Sequence, residues 1–240
     1  MTNGGRQMAL FESGNPALEK LLLSQLSRQK IKQFVGYDAQ PYKELMAYYR
    51  CAMMSVETKF NVLNEELSLQ YDRNPIETVK TRLKTPESVL EKTSRKGFPL
   101  TVDSIEENIN DIAGVRVITS FVSDIYTLTD AFLKQDDIRL IEKKDYIKEP
   151  KSNGYRSLHL IVEIPIFLHN EKKTMKVEVQ FRTTAMDWWA TVEHKLRYKK
   201  DYGISEQMER ELYECAEIGA DLDRRMEELR KSAEEYISWN

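Results

Sequence analysis

Apolar and polar residues alternate along this chain with two distinct periods, and the change between them marks the architecture. Tyr42, Met46, Tyr49, Met53, Val56, Phe60, Leu63 and Leu67 recur at steps of four and three, which predicts a long amphipathic helix. The same device returns near the end of the chain with Met208, Leu212, Cys215, Gly219, Leu222, Met226, Leu229, Ala233 and Tyr236, where Ser205 stands as an N-cap. Gly219 and Cys215 are weak seam residues, so this stripe is expected to pack on another helix of the chain or on a partner copy.

Between these helices the period falls to two. Val115, Val117 and Thr119 form one such run, Leu158, Leu160, Val162 and Ile164 a second, and Val177, Val179 and Phe181 a third. A further short strand is expected around Ile138–Ile141, and helices over Ile125–Lys134 and Thr184–Lys199. Trp188 and Trp189, at helical spacing with Val192 and Leu196, are expected in the core. The pattern predicts a mixed α/β domain whose sheet has one buried face and one polar face. Residues 1–14 read as a flexible terminus, 15–73 as N-terminal helices, 74–204 as the central domain and 205–240 as an assembly helix.

Composition narrows the class of protein. With 240 residues, 41% hydrophobic and 31% charged, and few Gly and Pro, the chain can build a sizeable core. No apolar run approaches the roughly 18 residues of a membrane helix, and Met1–Phe11 has no apolar leader. Cys51 and Cys215 stand far apart, without metal-ligand spacing, as expected in a reducing cytoplasm.

Charge changes the picture further. The net charge is -3, but residues 205–240 hold eleven acids and five bases, a net of -6, so residues 1–204 carry +3. Lys80–Pro99 gathers six bases against two acids, and Lys143–Arg156 five against two. Each cluster can serve an anionic ligand or simply be a solvated face.

Thr85-Pro86-Glu87-Ser88 is a helix start, with Thr85 as cap, Pro86 in the first turn and Gly97 as terminator. Ser88, Lys92 and Arg95 then share one face, and Arg82 and Lys84 precede the helix N-terminus. This edge suits a polyphosphate; an ordinary basic surface helix has the same spacing. With Val177, Val179 and Phe181 turned inward, Glu178 and Gln180 must face the other way. Glu178 and Asp111, at neighbouring strands, could hold Mg2+, or each could be a solvated acid. The segment Lys151-Ser152-Asn153-Gly154-Tyr155 delivers an aromatic ring at a strand mouth, with His159 four residues on, either to stack on a base or as a surface loop.

Taken in order, Arg82-Leu-Lys-Thr-Pro-Glu-Ser-Val-Leu-Glu-Lys92, Asp111-Ile-Ala-Gly-Val-Arg116, Gly154-Tyr-Arg-Ser-Leu-His159 and Val177-Glu-Val-Gln-Phe-Arg-Thr183 resemble the synthetase domain of the RelA/SpoT homologue family over about Asn74–Lys200. The length and flanking helices resemble its small alarmone synthetases, RelP-like rather than RelQ-like.

The resemblance implies an α+β fold, a nucleotidyltransferase-like mixed sheet flanked by long N- and C-terminal helices. It implies a stringent-response enzyme moving the β,γ-pyrophosphate of ATP to the 3'-hydroxyl of GDP or GTP, with AMP released. By matching position, Arg82, Lys84, Ser88, Lys92 and Arg95 would hold the ATP phosphates, and Arg82 and Arg116 would sandwich adenine. Asp111 and Glu178 would hold Mg2+, Glu178 also activating the hydroxyl. Tyr155 would stack on guanine, with Lys144, Lys151 and His159 near the acceptor phosphates and Gln180 beside the site. Asp187 stands where some relatives carry Asn or His and would be a further acceptor contact.

His159, His169 and His194 are followed by Leu, Asn and Lys, so the His-Asp pair of the family's hydrolase site is missing and synthesis without hydrolysis is expected. The resemblance also implies a homotetramer, with no membrane attachment and no requirement for nucleic acid. Two alternatives stand beside it. One is a nucleotidyltransferase that releases pyrophosphate, and the other an RNA-binding module that uses the basic sheet.

Overall fold

The computed structural model describes residues 39–71, 73–198 and 205–238. The expectations for residues 1–38 and for Lys199 fall outside that range. The chain forms two compact units. Among the described residues, one takes in 39–45 together with Thr85–Ile109, and the other Met46–Lys84 together with Asn110 onward.

Helix α1 (Ala39–Tyr71) is the first long amphipathic helix. In the smaller unit, helix α2 (Pro86–Arg95) starts as its residues dictate. Thr85 caps it by accepting from the Ser88 amide over 3.3 Å, and Pro86 sits in the first turn. Gly97, at φ +74°, carries the chain away in the left-handed conformation that glycine adopts without strain. Val89, Leu90 and Thr93 are its buried face. A short helix not foreseen from the sequence, α3 (Val102–Asn108), follows with Thr101 as its cap.

The larger unit is built on a five-stranded sheet of order β1-β2-β5-β4-β3. The strands are β1 (Ile76–Leu83), β2 (Ala113–Thr119), β3 (Arg139–Asp145), β4 (Leu158–Phe167) and β5 (Lys172–Thr183). Only β2 and β5 run parallel, so the sheet is mixed and the fold α+β. The period-two runs fall on β2, β4 and β5. Their inward residues, among them Val117, Leu160, Val179 and Phe181, are fully buried. Helix α4 (Val122–Leu133) covers them with Ile125, Leu128 and Phe132. Phe60 stacks on Phe132 with ring centres 4.6 Å apart and meets Phe181 edge-on at 5.5 Å, which ties α1 to the sheet.

One expectation changes, and one strand was not foreseen. Strand β1 carries no alternating signal because it is an edge strand with mostly exposed side chains. On helix α5 (Thr184–Tyr198), Trp189 is buried but Trp188 is 63% exposed, since neighbours on a helix point about 100° apart and cannot both face the core.

Helix α6 (Glu206–Ser238) is capped by Ser205 as expected, and only the start of its apolar stripe turns inward, where Leu212 packs against Trp189 and Ala216. Ile218, Leu222, Met226, Leu229 and Tyr236 are exposed, while Ala216 and Asp223 are buried. Polar anchors hold the inward side. Thr183 donates to Asp223 over 2.7 Å, and Ser123 to Glu227 over 3.0 Å.

Candidate active site

Sheet register assembles the polar face in rows. Arg82, Gly114, Glu178, Ile161 and Glu142 are successive partners across the five strands, and Lys80, Arg116, Gln180, His159 and Lys144 form the next row. Because side chains alternate, both rows point away from the core. Residues spread over a wide stretch of sequence thereby share one surface. An open cleft of about 530 Å3 lies on it, lined by Lys80, Arg82, Lys84, Asp111, Gly114, Arg116, Glu178 and Gln180.

Asp111 and Glu178 are the cleft's carboxylates. Lys84 donates to Asp111 Oδ2 over 2.6 Å, while its backbone amide bonds Ile112 O over 2.8 Å and fixes the end of β1 beside the Asp111 loop. Glu178 receives Gln180 Nε2 at 2.9 Å, and His159 Nδ1 lies 3.4 Å from its other oxygen. Burial pushes the Glu178 carboxyl upward and the Asp111 charge adds to that push. The bonds from His159 and Gln180 outweigh both and hold it below the usual glutamate range.

Of the acceptor-side candidates, His159 and Gln180 reach that carboxylate, and Tyr155 joins them through His159. The Tyr155 loop turns at Gly154, φ +84°, with the Gly154 amide bonding Lys151 O over 2.8 Å. Tyr155 OH lies 2.9 Å from His159 Nε2 and accepts from Arg182 Nη2 over 2.8 Å. An arginine can only donate, so the hydroxyl accepts from Arg182, and the direction of its bond with His159 follows the protonation of the imidazole. Lys151 Nζ stands 4.9 Å from the Tyr155 ring centre, and Lys144 pairs with Glu142 at 2.9 Å.

Asp187, on α5, is a junction. It accepts from Lys80 at 2.9 Å, Arg116 at 3.0 Å and Arg182 at 3.1 Å. Burial raises its carboxyl pKa, but these cations together hold it below the usual aspartate range. Ser88, Lys92 and Arg95 share one face of α2 in the smaller unit, where Thr85 Oγ1 donates to Ser88 Oγ over 3.0 Å. Sequence reasoning gave no role to Lys80, Gly114 or Arg182. For Arg182 the signal was present, two residues from Gln180 at the period of the same strand face, whereas Lys80 lies on β1, which left no alternation.

Comparison with known proteins places the chain. The region found in RelA and SpoT proteins matches residues 81–203. GTP pyrophosphokinase YwaC of Bacillus subtilis is 43% identical over 195 residues, covering 81% of this chain and 93% of its own. GTP pyrophosphokinase YjbM of the same organism is 35% identical over 198 residues, covering 82% and 92%. Among solved structures, the small alarmone synthetase 2 of B. subtilis superposes with a TM-score of 0.74 at 42% identity, covering 80% of this chain and all of that one. The B. subtilis small alarmone synthetase 1 bound to its product pppGpp gives 0.73 at 36% identity, covering 80% and 97%. Matched in region, in nearly the full length of its relatives and in fold, the chain belongs to the RelA/SpoT family, with its small alarmone synthetases.

Proposed function

We propose that this protein transfers the β,γ-pyrophosphate of ATP to the 3'-hydroxyl of GDP or GTP, forming ppGpp or pppGpp and releasing AMP. The observation that carries the reading is the pairing of Glu178 with Asp111 in one cation-lined cleft, Glu178 being held ionised by His159 and Gln180. An ionised carboxylate beside a hydroxyl nucleophile is a general base. Glu178 takes the 3'-hydroxyl proton as the new oxygen–phosphorus bond forms at the β-phosphorus and the bond to AMP breaks.

Among the described residues no three His, Cys, Asp or Glu gather into a metal cage. Two carboxylates facing a phosphate site are nevertheless the donor set that Mg2+ takes, since it keeps water and phosphate ligands. Asp111 and Glu178 would hold the ion, which when bound neutralises charge on the transferring phosphates. Lys84, now on Asp111, would then turn to a phosphate oxygen together with Arg82. Arg82 and Arg116 flank adenine, and Ser88, Lys92 and Arg95 keep the ATP role that the family resemblance implies. Tyr155 stacks on guanine, with Lys144, Lys151 and His159 toward the acceptor phosphates, and Gln180 and Asp187 complete that side.

The catalytic domain in this reading is 74–204, with 205–240 used in assembly. The exposed stripe of Ile218, Leu222, Met226 and Leu229 supports a homotetramer. The free thiols of Cys51 and Cys215 agree with a cytoplasmic enzyme. Incubation with Mg2+, ATP and GDP followed by nucleotide separation tests the function. AMP and ppGpp are expected, whereas free pyrophosphate would point to nucleotidyl transfer instead.

A further inference from the structure

Arg182 is the most enclosed cation of the polar face, its side chain 6% exposed. Its register partner Ile118 places it in the row beyond Gln180. One guanidinium nitrogen donates to Asp187 Oδ1 over 3.1 Å, and the other to Tyr155 OH over 2.8 Å and to Gln180 Oε1 over 3.2 Å. Its central carbon lies 5.3 Å from the Tyr155 ring centre. Burying a charge is costly unless it is paired, so a cation in this position depends on its surroundings. Asp187 supplies the pairing, and the rigid fork of the guanidinium reaches two more groups from that fixed point.

The two groups are the ones whose orientation the acceptor side needs. Donating to Gln180 Oε1 turns that amide so that its NH2 faces Glu178, where it donates at 2.9 Å. Donating to Tyr155 OH tethers the far end of the ring beside His159, while the guanidinium carbon 5.3 Å from the ring centre limits how the ring turns. The ring's other nearby cation, Lys151, is exposed and able to leave when a ligand arrives. Arg182 is anchored and stays.

We propose that Arg182 is a positioning residue for the acceptor purine, holding the Tyr155 ring and the Gln180 amide in the orientation that receives guanine. The proposal rests on the reading of Tyr155 as the guanine platform. It makes Asp187 an anchor for the acceptor side through Arg182, besides any contact of its own.

The test is a split of KM values in the full-length enzyme. Arg182→Met is expected to raise the GDP KM about tenfold while the ATP KM moves less than about threefold, because Asp187 keeps Lys80 and Arg116. Arg182→Lys retains the charge without the fork and should recover part of the loss. Tyr155→Phe keeps the ring and loses the hydroxyl. It should raise the GDP KM in the wild-type background and cost less when Arg182 is already Met, as coupled groups do.

Equal rises in both KM values, strictly additive effects or an unchanged GDP KM would overturn the proposal. Should Arg182→Met fail to fold, the cycle of Arg182→Lys with Tyr155→Phe measures the same coupling. Tyr155→Ala separates the two levels. If it leaves the GDP KM unchanged, the platform reading itself fails; if it raises that KM while the Arg182 variants do not, only the positioning role fails.

Discussion

Lys84 Nζ stands 2.6 Å from Asp111 Oδ2, so the cation expected to serve a phosphate rests on the carboxylate expected to serve a metal. A metal ion at that oxygen would sit against the lysine's charge. Removing the lysine removes a competitor, and Lys84→Met should therefore lower the Mg2+ concentration for half-maximal activity while lowering kcat. Asp111→Asn should cut kcat by about 10²–10³-fold with the melting temperature little changed. A Mg2+ titration of both variants, with thermal melts alongside, checks the pair.

The pH dependence follows from Glu178. Its carboxyl must be ionised to accept a proton, and its pKa lies below the ordinary glutamate value of 4.5. The acid limb of kcat should accordingly fall below that pH. His159→Ala deletes a lowering hydrogen bond and a lowering charge while burial stays, so the limb should move to higher pH. Profiles of kcat at saturating substrates, wild type against variant, read the shift.

Gly114 separates backbone demand from ligand demand. It lies between Arg82 and Glu178 in the row that floors the cleft, and a Cβ there would meet only Arg82 O, at the ordinary contact distance of 3.5 Å. The fold has room for alanine, which should leave stability unchanged or raise it by about 0.5–1 kcal/mol. The methyl would occupy cleft space. Gly114→Ala is predicted to melt no lower than wild type while its kcat/KM for ATP falls about tenfold.

Asp223 gives a stability prediction remote from the cleft. Burial raises its pKa from 3.8 to about 6, against the lowering effect of the Thr183 hydrogen bond and of Arg156. Between those two pH values the folded protein keeps a proton that the unfolded chain has lost. Stability is thus lost as pH rises through the window and stays lower above it. Asp223→Asn, able to keep the bond to Thr183, should stabilise the protein at pH 7.5 by up to about 3 kcal/mol and have little effect near pH 4. Urea denaturation at the two pH values measures it.

What could be read from the sequence was whatever left a periodic or capping trace. Val177, Val179 and Phe181 alternate because one face of a central strand is buried, and that alone oriented Glu178 and Gln180. Thr85, Pro86 and Gly97 marked the ends of α2 by local chemistry. Strand β1 left no such trace, since an edge strand exposed along most of its length needs no apolar alternation. The stripe on α6 was read as packing on another helix or on a partner copy; Leu212 packs inward beside Trp189, while Leu222, Met226 and Leu229 are exposed where Asp223 and Glu227 hold the helix. The Asp187 junction was invisible for another reason. Lys80, Arg116 and Arg182 come from three strands, and only the register of the sheet shows that they meet on one carboxylate.

The central claim is that the cleft moves a pyrophosphoryl group, with Glu178 as the base. The most direct measurement supplies ATP labelled at the γ-phosphate together with GDP and Mg2+, for wild type and Glu178→Gln in parallel. The account predicts label in ppGpp with one AMP per product for wild type, and a loss of at least about 10²-fold for the folded variant. Label released as free pyrophosphate, or equal turnover by Glu178→Gln, would contradict it.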